Sequence, residues 1–199
     1  MSSNLKTLFD NHKKWLETEG ESGEQLVLEN VKSEQLTNEQ LQFLTDSILT
    51  ECIFTDTMLN GNDFYHTEMY SCKFNSVSCN NVQFIKCDIN DNEFINSSFE
   101  CTNLNKAELF DCIFNQCTFI DTTFINIGVW NTAFNECCFT NIDFEDAYLE
   151  NIIFSNSIFI NPINIDKATK VVLNIGTKEK PILLSREESI TWISEHSKS

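Results

Sequence analysis

From Ser47 to Phe159 every fifth residue is apolar. The series runs Leu49, Phe54, Leu59, Phe64, Met69, Phe74, Cys79, Phe84, Ile89, Phe94, Phe99, Leu104, Leu109, Phe114, Phe119, Phe124, Val129, Phe134, Phe139, Phe144, Leu149, Phe154 and Phe159, twenty-three positions without a slip. Each is termed a centre, i. Two residues before it sits a mostly small side chain, such as Ser47, Cys52, Thr57, Cys72, Ala107, Cys112, Cys117 or Ala147. A period of five matches neither the α-helix nor the extended strand. Held this long, it marks a repeat architecture. It suits a solenoid whose chain turns a corner every five residues and sends two side chains inward at each step.

The number of corners is also written in the chain. Every twentieth residue from Phe54 (Phe74, Phe94, Phe114, Phe134, Phe154) is Phe, whereas the column before it reads Leu49, Met69, Ile89, Leu109, Val129, Leu149. A period of twenty on top of five means four steps per coil, with like stacking on like. Twenty-three steps make nearly six coils, a rod roughly 25–30 Å long at a spacing of about 4.8 Å per coil. Stacked Phe and Leu fill its axis and supply most of its stability. A filled axis leaves no room for a buried active site or cofactor, and none is expected.

With a small residue at i−2, Leu or Phe at i, and Asn or Asp at i+2 (Asp56, Asn81, Asp91, Asn96, Asp111, Asp121, Asn141, Asp146, Asn151 and Asn156), residues 47–161 resemble the pentapeptide-repeat family. The segment from His12 through Trp15 to Gly20 and Gly23 is similar to the lead-in that precedes the repeats in many bacterial members. The resemblance implies an all-β solenoid, a right-handed quadrilateral β-helix with short N-terminal and C-terminal capping helices. It also implies that some relatives mimic B-form DNA and protect DNA gyrase or topoisomerase IV from inhibitors, and that a C-terminal end can mediate a homodimer. The expected divisions are 1–46, a helical cap and irregular first coil; 47–161, the β-helix; and 162–199, a strand and a capping or dimerisation helix.

At the N-terminus, Leu5, Leu8, Phe9, His12, Trp15 and Leu16 form one stripe of a helix over Ser3–Thr18. A β-helix has an open end that must be covered, and Trp15 is the expected plug, with His12 a helix-face residue. Leu26–Leu28 should begin the first coil, and Thr37–Gln40 reads as a capping box opening a short helix. The five-residue phase of Leu26, Val31, Leu36 and Leu41 differs from that after Leu44, so an insertion or helix must absorb the shift. Pro162 and the polar centre Asn164 end the repeats. Val171–Gly176 should close the last coil. Ser185–Glu188 is a second capping box, whose helix either covers the end or meets another copy.

The net charge is −17. Such a surface repels phosphates and anionic membranes, so direct nucleic-acid or membrane binding is not expected and a protein with a basic surface is. No apolar run approaches a membrane span and no secretory leader is read, which together point to the cytoplasm. Of nine Cys, Cys52, Cys72, Cys87, Cys112, Cys117 and Cys137 occupy the small i−2 site and Cys79 a centre. They read as buried, reduced apolar side chains, although Cys52 over Cys72 and Cys117 over Cys137 lie within disulfide reach. No zinc spacing is present, and His12, His66 and His196 lie in different regions, so no metal site and no catalytic residue is assigned.

Charge is uneven around the rod. The face centred on Leu49, Met69, Ile89, Leu109, Val129 and Leu149 carries Glu51, Glu68, Asp88, Asp91, Glu108, Asp111 and Glu150, seven of the sixteen acids in the repeats. Glu68, Asp88 and Glu108 should form one vertical column, and Asp91 and Asp111 another. Stacked like charges oppose folding by about a few tenths of a kcal/mol per pair. The same face turns Tyr70, Phe110, Trp130 and Tyr148 outward. Acids flanked by aromatics make a candidate partner-binding surface. A weaker alternative is a cation bridging Asp88, Asp91, Glu108 and Asp111.

Overall fold

The computed structural model describes residues 2–198. They form a right-handed, four-sided parallel β-solenoid with α1 (Ser2–Glu17) at one end and α3 (Arg186–Glu195) at the other. A short α2 (Asn38–Leu41) lies in the first coil. Eight strands stack on the first face, from Val27–Glu29 to Lys170–Leu173, which gives seven turns. All twenty-three centres are buried, at 9% exposure or less. Leu49 pairs with Met69 and Phe54 with Phe74, so the twenty-residue columns are the registers of the sheets. The fourth face has only single bridges, from Asp63–Gln83 down to Asp143–Ile163.

The preference for Asn and Asp at i+2 has a backbone cause. Every i+2 residue from Glu51 to Asn161 has positive φ, between 48° and 66°. That left-handed conformation turns each corner, and Asn and Asp tolerate it better than other side chains do. Inside, the second-face Phe rings stack: Phe94, Phe114 and Phe134 are spaced 4.5 and 4.8 Å apart between centroids. Third-face rings meet them edge-on, as in Phe114–Phe119 at 5.6 Å and 61°. Stacked and edge-to-face pairs both suit the ring quadrupole.

The first coil holds one extra residue. Val27 pairs with Ile48, twenty-one residues on, whereas Ile48 pairs with Glu68, twenty on. The surplus lies between Ser33 and Leu44, where a 3-10 turn and α2 replace strand. Thr37 caps α2 as the expected box. Leu28 is the centre of this first strand, while Leu26 and Val31 take the i−2 place, accepting from Ile48 and Ile53. That is why the phase differs before Leu44.

The plug is not Trp15, which is only half-buried. Phe9 and His12 fill the N-terminal end, and His12 has no exposed surface. The Leu26 N–H donates to His12 Nδ1 (3.0 Å), and Nε2 lies 2.9 Å from the Thr45 carbonyl. Nδ1 must therefore carry the lone pair and Nε2 the proton, a neutral tautomer. Desolvation by burial lowers the pKa of His12, outweighing the Thr45 hydrogen bond and the Asp46 charge, which raise it. Gly23, at φ +84°, passes so close to the Asn11 carbonyl that any Cβ would collide with it.

At the other end α3 starts at the Ser185 capping box and lies across the last coil. Ile193 is fully buried and Trp192 stacks on Phe154 at 6.3 Å. The closing strand is Lys170–Leu173, shorter than expected. After α3 the chain rejoins the third face, where Ser197–Lys198 pairs with Ile158–Ile160. All nine cysteines are free thiols. Burial pushes the thiols of Cys79 and Cys112 up to about 12.

Candidate functional site

The first face owes its layout to register. Glu68 lies beside Asp88 and Asp88 beside Glu108. The next positions down this column are Gly128, Tyr148 and Lys170. The column on the other side of the centres reads Thr50, Tyr70, Asn90, Phe110, Trp130 and Glu150. The face is thus graded, with the carboxylate column Glu68–Asp88–Glu108 in its upper half and the aromatics Phe110, Trp130 and Tyr148 gathered below, while Tyr70 lies above and Glu150 at the bottom.

The aromatics are not independent exposed rings, as the sequence suggested. Phe110 and Trp130 stack at 4.3 Å and 5°, and Trp130 meets Tyr148 at 5.3 Å. All three are half-buried. Gly128 makes this possible: a Cβ there would occupy the space of the Trp130 ring. Gly128 is itself buried beneath it. The lower end is also neutralised. Lys170 Nζ donates to Glu150 Oε1 (2.6 Å) and to the Tyr148 hydroxyl (3.0 Å), and sits 5.0 Å from the Tyr148 ring centroid. The Lys170 hydrogen bond, with that from Tyr148, lowers the Glu150 pKa, and the same contacts raise that of Lys170.

In the upper half, the Tyr70 hydroxyl donates to Glu68 Oε2 at 2.7 Å, and this bond pushes the phenol up to about 12. Ser71 Oγ donates to Asp91 Oδ2 at 3.0 Å, and Lys178 pairs with Asp111 at 3.2 Å. Among the described residues the carboxylates of Asp88 and Glu108 have no ion pair or hydrogen bond. Among the described residues no group of three or more His, Cys, Asp or Glu is placed to hold a metal ion. Asp88, Asp91, Glu108 and Asp111 are spread over the face rather than converged on a point.

Missed from the sequence were Lys170 and Lys178. Both lie beyond the repeats, and their return to this face follows from the closing strand and the hairpin after it. The axis is filled, with a residual void of only about 10 Å³ among the central rings. No helix among the described residues is long and apolar enough to cross a membrane.

Fold and face together define a β-solenoid of stacked five-residue units that presents side chains on flat outer walls. The family model for pentapeptide repeats, in eight copies, matches residues 44–75. The chain carries pentapeptide repeats. Among solved structures it is similar to a pentapeptide repeat protein from the thylakoid lumen of Arabidopsis thaliana (18% identity, TM-score 0.37). That match covers 49% of this chain and 64% of the other, just under two thirds of its length. It is similar also to QnrB1, a plasmid-mediated fluoroquinolone resistance protein (10% identity, 85% and 95% covered, TM-score 0.41). A third is HetL of Nostoc sp. strain PCC 7120, involved in heterocyst differentiation regulation (12% identity, 70% and 81% covered, TM-score 0.31). No curated protein matches the chain in sequence.

Proposed function

We propose that this protein is a non-enzymatic scaffold or adaptor of the cytoplasm whose partner, a protein with a basic surface, docks on the first face. The contact would centre on Glu68, Asp88, Asp91, Glu108 and Asp111, with Tyr70, Phe110, Trp130 and Tyr148 beside them. The observation that carries this reading is the pair Asp88 and Glu108, adjacent in register and, among the described residues, without a cationic or hydrogen-bonding partner of their own. Like charges one strand apart oppose folding, and an incoming Lys or Arg relieves that repulsion. The stacked Phe110–Trp130 pair supplies a rigid apolar edge next to it.

A second reading is DNA mimicry directed at DNA gyrase or topoisomerase IV, modulating inhibitor sensitivity. The chain's net charge of −17 and a rod with no loop between Leu49 and Phe159 favour it. The grading of charge on one face, with Lys170 at its lower end and Lys178 against Asp111, fits a single docking partner better.

The test is affinity capture from host cytosol with the wild type and with the folded triple variant Glu68→Lys, Asp88→Lys, Glu108→Lys. A protein held by the first and lost by the second supports the reading and names the partner. Identical captures refute it. A gyrase supercoiling assay with and without a quinolone separates the two readings.

A further inference from the structure

The third face lacks its first rung. Lower on this face each strand is bonded to the one above in a fixed way. Ser78 N–H donates up to the Thr57 carbonyl, and the Asn80 carbonyl accepts from Gly61 N–H, both at 3.0 Å. The uppermost strand, Met58–Asn60, offers the same two groups upward, the Met58 N–H and the Asn60 carbonyl. Neither has a partner among the described residues. The cause is the first coil, where the chain that would form the missing rung turns into α2 instead.

Between α2 and this edge runs a groove of about 650 Å³. Leu36 and Leu41 form part of its wall, and Met58, 82% exposed, stands at its mouth. Glu34 and Asp56 also line it, both exposed and neither in an ion pair among the described residues. Asn62 Oδ1 accepts from the Asn60 N–H at 2.7 Å and caps that one group, but the Met58 N–H and the Asn60 carbonyl stay open, and an open strand edge is a template for another extended segment.

We propose that this edge binds a short extended peptide carrying a basic side chain, added as a parallel rung above Met58–Asn60. The bonding pattern sets what the ligand must present. Its carbonyl accepts from Met58 N–H and, four residues later, its own N–H donates to the Asn60 carbonyl, as Thr57 and Gly61 do one rung down. The residue midway faces Leu36 and Leu41 and must be small and apolar. A Lys or Arg near the start of the peptide lies beside Glu34 and Asp56. This site is on a different face from the acidic column and stands or falls independently of it.

The probe is the blocked peptide acetyl-Lys-Lys-Thr-Ala-Thr-Gly-Ser-amide, titrated into the full chain and followed by amide NMR and hydrogen exchange. In the free protein the Met58 amide should exchange far faster than that of Ser78. Saturating peptide should slow it by about tenfold or more, with shift changes centred on Met58–Asn60. Asp56→Lys should weaken binding severalfold. Met58→Pro, which removes a donor that has no partner among the described residues, should abolish it, and Pro is accepted on strand edges. The proposal is overturned by a Met58 amide already as protected as Ser78, by no binding at millimolar peptide, or by an affinity unchanged in Asp56→Lys. Protection of Met58 that rises with protein concentration alone would replace the peptide by a second copy of the chain. Should Met58→Pro fail to fold, the exchange data and Asp56→Lys still decide.

Discussion

Removing the His12 ring tests whether α1 is locked to the first coil or merely rests on it. The ring is fully buried and ties Leu26 N–H to the Thr45 carbonyl across the open end. His12→Ala deletes a buried ring and leaves both backbone groups dry. A large-to-small change in a core costs about 2–5 kcal/mol, and each buried unpaired group adds about 1–3 kcal/mol. Partial relaxation and water entry offset some of this, so a loss of about 3–6 kcal/mol in the docking of the cap is expected. Acid should have a milder form of the same effect. The docked ring has a pKa below 6.5 because burial disfavours the cation, while the undocked or unfolded ring titrates near 6.5. The undocked state therefore binds more protons at low pH. The stabilisation is complete above about pH 6.5 and falls away as pH drops through the lowered value. Protonated Nδ1 would also point a donor at the Leu26 N–H. Asp46, the acid whose charge reaches the ring, favours the cation but is outweighed by burial. The assay is amide exchange at Leu26 together with thermal unfolding at pH 7.5 and pH 5. His12→Gln serves as a non-titrating control that keeps one donor and one acceptor. Equal pH dependence in wild type and His12→Gln, or a loss below about 1 kcal/mol in His12→Ala, would refute the reasoning.

Phe114→Ala opens the middle of a ring stack, between Phe94 and Phe134, and should cost about 3–5 kcal/mol, read from the denaturant midpoint. Gly128→Ala should eject Trp130 from its seat on Phe110, shifting tryptophan emission to the red and lowering stability by about 1–3 kcal/mol. Cys101→Asn, at an exposed corner with φ 51°, should stabilise by about 0.5–1 kcal/mol, because Asn accepts that conformation more readily; an unchanged or lower melting temperature counts against it.

Much of this architecture can be read without coordinates because a solenoid repeats one local rule. The Phe54–Phe154 column announces both the period and the stacking, and the in-register acids Glu68, Asp88 and Glu108 follow by arithmetic. Irregular contacts have no such rule. Nothing in the five-residue pattern says that His12, rather than Trp15, fills the end, since either ring fits a helical stripe. Gly128 breaks no period, yet it is the vacancy that lets Trp130 lie flat. Lys170 and Lys178 lie outside the repeats, so their pairing with Glu150 and Asp111 depends on how the last coil closes. Ser197–Lys198 returning to the third face after a helix was equally invisible, because two residues carry no periodicity.

The twenty-residue register also restricts how such a chain can change length. Excision of residues 91–110 joins Asn90 to Asp111, the same place one coil on, and every later centre keeps its face. The rod shortens by one rung of about 4.8 Å. Excision of residues 91–95 preserves the period of five but moves each later column round by one wall. Phe99 then lies under Phe74, Leu109 comes to the fourth wall, where the backbone turns rather than pairs, and the Phe114 stack is set against Met69 and Ile89. Insertions and deletions in this rod are therefore quantised in whole coils, and a length difference that is not a multiple of twenty must be absorbed outside it, as the single surplus residue of the first coil is.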